Sequence, residues 1–107
     1  MKTLHLALAV SNLELSIAEY SARLEALPVV VVPGEYALWR TEKVNLSIRK
    51  TKEPSGTLRH LGWEDTEATS FTTEKDCNGI VWENFASAHQ NKEINEIWPN
   101  AIDPIRE

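Results

Sequence analysis

The sequence predicts an α+β fold: one complete βαβββ module, a shortened second β-rich module and a C-terminal helix. Three observations predict it. Residues 3–10 alternate large apolar with small or polar side chains, the period of a half-buried strand. Residues 13–27 carry apolar groups at steps of three and four, the period of a helix with one covered face. From residue 29 onward, short apolar or alternating runs separated by turn residues have the length of strands.

In the first strand Leu4, Leu6, Leu8 and Val10 share one face, and His5, Ala7 and Ala9 share the other. The large groups face a core, and the small ones leave space beside a histidine. Ser11 and Glu14 have the spacing of a capping box, which starts a helix. Its stripe runs through Leu13, Ile17, Tyr20, Leu24 and Leu27, and Pro28 ends it. Strands are expected at 29–32, 35–41 and 44–50, with a Pro-Gly turn at 33–34 and a polar turn at Glu42 and Lys43. Asn45, Ser47 and Arg49 form a polar face on the last of these, which needs water or a ligand. The polar loop 52–56 separates the modules, module one over 1–52 and a shortened module two over 57–98, within a single domain of 107 residues.

The second module opens with a strand at 57–64, where Leu58, His60, Gly62 and Glu64 alternate with Arg59, Leu61 and Trp63. A short strand at 69–74, a turn at 76–79 and a strand at 80–85 follow; Val81, Glu83 and Phe85 share a face of the last. Residues 87–98 read as a helix with Ile94, Ile97 and Trp98 as its apolar cluster, stopped by Pro99, and 100–107 as a frayed tail.

Sixteen acidic and eleven basic residues give a net charge of −5, which argues against a dedicated nucleic-acid partner. The basic side chains cluster at Arg40, Lys43, Arg49, Lys50, Lys52 and Arg59, an edge suited to a carboxylate or phosphate. No apolar run approaches the roughly 20 residues that span a bilayer, so no membrane partner is expected. The opening MKTLHLALAV reads as a strand rather than a leader, and the location expected is cytoplasmic. A single cysteine, Cys77, rules out an intrachain disulfide and a cysteine-based zinc site, and no basic helix end activates it. His89 is expected on a helix surface without a role. Trp39, Trp63, Trp82 and Trp98 read as core or interface residues, and with the unpaired edges of a shortened module they predict a homodimer.

Two imidazoles and a carboxylate on one concave face would suit zinc, nickel, manganese or iron and leave positions open for substrate oxygens. His5 falls with Ala7 and Ala9, His60 with Gly62, and Glu83 with Val81 and Phe85, a parity compatible with such a face; Glu64 on the His60 face would be a fourth ligand or base, with Ser47 or Arg49 orienting the substrate. Glu83 is also the candidate catalytic residue.

The segment LHLALAVSNLELSIAEYSARLEALP resembles the opening of the vicinal oxygen chelate superfamily, the glyoxalase, bleomycin-resistance and extradiol-dioxygenase group. Asn12, Leu13, Glu14, Ser16, Ile17 and Tyr20 match its helix signature, and Glu19 replaces the usual aromatic. LRHLGWE is similar to the first strand of the family's second module, and DCNGIVWENF to its closing strand, with Cys77 at the usual proline. The resemblance implies a glyoxalase-like fold and a divalent metal ion held by His5, His60 and Glu83. It implies Lewis-acid chemistry of lyase, isomerase or dioxygenase type on a small molecule with adjacent oxygens. A metal-free protein that sequesters a small molecule, as in the bleomycin-resistance group, is the alternative, and a module kept only for assembly is a third. Only 22 residues separate His60 from Glu83, too few for a complete second module. Whether one chain or two supply the three groups is therefore open from sequence.

Overall fold

The computed structural model describes residues 1–102. Its elements are β1 (Lys2–Val10), α1 (Leu13–Leu24), β2 (Val30–Val32), β3 (Tyr36–Arg40), β4 (Val44–Lys50), β5 (Leu58–Asp65), β6 (Thr72–Lys75), β7 (Val81–Phe85) and α2 (Ser87–Ile97). The strands join in one mixed seven-stranded sheet, order β2-β3-β4-β1-β5-β7-β6, so the fold is α+β as expected. Most of the tail expected at 100–107 lies outside the described residues.

β1 sits at the centre because both of its faces can be covered. It pairs parallel to β4 through the α1 crossover and antiparallel to β5, which joins the two halves of the chain. On one face α1 packs on the cluster of Val10, Ala37, Trp39, Leu46 and Ile48, with Leu6 and Leu8 beside it. On the other, α2 lies across the first half of the sheet, where Ile94 meets Val30, Tyr36 and Leu38. The β2-β3-β4 side is thus sandwiched between helices. Among the described residues no helix lies over Leu61, Trp63 and Trp82, on the α1 side of β5 and β7, and Trp63 stays 36% exposed.

Several local readings are corrected. The N-cap of α1 is Asn12, not Ser11: the Asn12 carboxamide oxygen accepts from the Leu15 amide at 3.0 Å. The helix ends at Leu24, before Pro28, because Glu25 turns left-handed at φ 53° and donates to the Ala22 carbonyl. Leu27 therefore leaves the stripe and is 82% exposed. Of the stripe only Leu13 is fully buried; Ile17, Tyr20 and Leu24 are half-buried. Phe71 precedes β6 and stacks on Phe85 with ring centroids 5.7 Å apart. The strict alternation of β5 breaks at a bulge, where Ala7 pairs with His60 but Leu8 with Leu58. The extra residue, Arg59, lines the same cavity as His60 instead of facing away from it.

Candidate metal centre

The site grows from three neighbouring strands. His5 on β1, Gly62 on β5 and Glu83 on β7 stand in line across the sheet, and His60 pairs with Ala7 on the same face. Strands about 4.8 Å apart place His5 and Glu83 roughly 10 Å apart at the backbone, with the glycine between them. Gly62 brings no side chain, so the imidazole and the carboxylate lean toward each other and toward His60. A Cβ at Gly62 would collide with the Glu83 backbone, so only glycine permits this approach of β5 and β7.

His5 Nε2 and His60 Nε2 lie 2.9 Å apart. Glu83 Oε1 is 3.1 Å from His60 Nε2 and 3.6 Å from His5 Nε2. Ligand atoms around a tetrahedral ion with bonds of ~2.0–2.2 Å sit roughly 3.3–3.6 Å apart, so opening by a few tenths of an ångström would admit one. His5, His60 and Glu83 together could hold a metal ion. All three come from one chain.

A buried polar network sets the state of His5. Its Nδ1 lies 2.8 Å from the Asn45 Oδ1 and 3.3 Å from the Asn45 carbonyl, both acceptors, so Nδ1 carries the proton. The orientation of Asn45 follows from its other partners: its Nδ2 donates to Glu64 Oε1 at 2.7 Å and to Gln90 Oε1 at 2.8 Å. Nε2 of His5 thereby presents a lone pair to the cavity, the form a metal ligand needs. Burial, and then the neighbouring His60, hold His5 below the ordinary imidazole range and favour the neutral ring, against the opposing Asn45 hydrogen bond.

Glu64 does not join the cluster as a ligand or base. Its carboxylate is held by Arg40 at 3.1 Å and by Asn45, on the far side of Asn45 from His5. Arg40 also donates to Gln90 and Asn91 of α2, at 2.7 and 2.9 Å, which fastens the helix over the site. His89 is not idle either. Its Nδ1 accepts from the Ala86 amide at 2.9 Å and caps α2, whose N-cap residue, Ala86, has no side-chain acceptor.

A cavity of about 50 Å³ opens onto the cluster, walled by Ser47 and Arg49 of β4, Tyr36 of β3, and Glu93, Ile97 and Trp98 on the α2 side. Arg49 stacks over the Trp98 ring, 5.0 Å from its centroid. Burial pushes the Tyr36 phenol up to about 12, so it remains a neutral hydroxyl. Partial burial and the Glu83 charge raise Glu93 above the ordinary carboxylate range. The polar parity of β4 signalled Asn45, Ser47 and Arg49 in advance, whereas the roles of Arg40, Gln90 and Glu93 carried no local signal.

The chain matches no protein-family model and no curated protein.

Proposed function

We propose that the chain is a small metal-dependent protein of the vicinal oxygen chelate type, acting on a small molecule with adjacent oxygens. The observation that supports this most is the convergence of two imidazole nitrogens and a carboxylate oxygen, all within 4.8 Å of one another, on the lining of a cavity. In this reading His5, His60 and Glu83 hold a divalent ion (zinc, nickel, manganese or iron), which supplies Lewis-acid polarisation of a substrate oxygen. Asn45 keeps the His5 lone pair turned inward. Ser47 and Arg49 orient the substrate. Glu83 has a second carboxylate oxygen that can accept a substrate proton. The α2 wall restricts water.

A titration of the purified protein with nickel, zinc, manganese and ferrous iron tests this. One ion per chain is expected, with affinity at least tenfold weaker in His60→Ala and Glu83→Gln. Binding that is absent, or unchanged in both variants, overturns it. The metal-free sequestering protein is the second reading. It is favoured by the 2.9 Å His5–His60 contact, in which the rings satisfy each other without an ion.

A further inference from the structure

The cavity has two chemically different ends. At one, His5, His60 and Glu83 converge on the floor. At the other lies Arg49, two residues or about 7 Å along β4 from Ser47, which stands in one row with Ala7 and His60. The buried Ser47 stands between them.

Arg49 is half-buried, with its guanidinium carbon over the Trp98 ring at 5.0 Å from the centroid, and Trp98 in turn packs on Tyr36 with centroids 4.9 Å apart. Among the described residues no carboxylate lies within ion-pair distance of it. The other arginines near this face are engaged: Arg40 with Glu64 at 3.1 Å, and Arg59 with Glu53 at 3.4 Å. Glu93 is the second carboxylate on the cavity wall. A guanidinium stacked on an indole keeps its in-plane N–H fork available, and that fork matches a carboxylate.

Resting on the metal reading above, we propose that the small molecule taken by this site is a carboxylic acid bound at both ends. Vicinal oxygens face the His5, His60 and Glu83 cluster, and a separate carboxylate sits on Arg49. The volume of about 50 Å³ holds roughly three to five waters, which restricts the enclosed part of the ligand to a few carbons.

Malate and 2-hydroxybutyrate separate the two ends. Both carry a hydroxyl beside a carboxylate, and only malate has a second carboxylate. Each is titrated into metal-loaded and metal-free protein, followed by calorimetry and by tryptophan fluorescence, with wild type and Arg49→Met. Malate is expected to bind the loaded wild type at least tenfold more tightly than 2-hydroxybutyrate. In Arg49→Met that preference should vanish while metal affinity stays the same. Equal binding of the two acids to loaded wild type overturns the anchor and leaves the metal reading intact. If no metal binds, the metal reading fails alone. The anchor then stands on an Arg49-dependent preference for malate in the metal-free protein, and falls without one.

Discussion

Asn45 decides which nitrogen of His5 faces the cavity, and it does so because Glu64 can only accept. Removing the Asn45 carboxamide leaves the Glu64 and Gln90 side chains each short of a buried partner and frees the His5 ring to change tautomer. Asn45→Ala should lower stability by about 1–3 kcal/mol in urea unfolding. It should also weaken metal binding about 10–100-fold, the usual effect of losing the group that orients a ligand. Asp76 does similar work in the turn before β7. Its carboxylate accepts from the Trp82 indole at 2.9 Å and from the Asn78 and Ile80 amides at 2.8 and 2.9 Å. These bonds, the Trp82 one first, hold Asp76 below the ordinary aspartate range. The stabilisation is thus present above the unfolded aspartate's value and is lost as pH falls through the lower folded one. Acid titration should shift Trp82 fluorescence in that window, and Asp76→Asn should remove the shift.

At the scale of elements, the close approach of β5 and β7 is what carries Glu83 to His60. Gly62 is where that approach is permitted, since any Cβ there meets Glu83 backbone that cannot rotate away. Gly62→Ala should force the strands apart and cost about 1–3 kcal/mol, as overpacking does. Metal affinity should fall with it, even though no ligand is changed. If the variant binds metal like wild type, Gly62 does not position the cluster. α2 is fastened by polar contacts as much as by packing: Arg40, Gln90 and Asn91 link it to the sheet at one end, and Ile94 and Trp98 pack at the other.

For the whole molecule, the sheet is covered unevenly. The first half lies between α1 and α2, while Leu61, Trp63 and Trp82 on the other half face outward, with Leu58 37% exposed nearby. Burying that surface against a second copy would remove apolar area and shield the short β6 edge. Light scattering across the micromolar range should return the mass of a homodimer, and Trp63→Glu should shift it to the monomer. A monomer mass for the wild type throughout would show that the face stays open. No helix among the described residues is long and apolar enough to cross a membrane.

Short-range periodicity made the α+β class, all seven strands and both helices legible, because side-chain alternation and helical spacing are properties of neighbouring residues. The same parity is compatible with His5, His60 and Glu83 sharing one sheet face, the set that the family resemblance implies. It failed at the Arg59 bulge and at the ends of α1, where a register shift and a left-handed turn interrupt the period. It also could not assign Glu64, which shares the face of His60 but is claimed by Arg40 and Asn45. Only the tertiary structure showed that His5, His60 and Glu83 of one chain converge, that α2 covers the polar face of β4, and that Asn45 sets the His5 tautomer. Those outcomes depend on partners 23 to 78 residues apart in sequence, and the matching of side chains over such separations leaves no periodic trace.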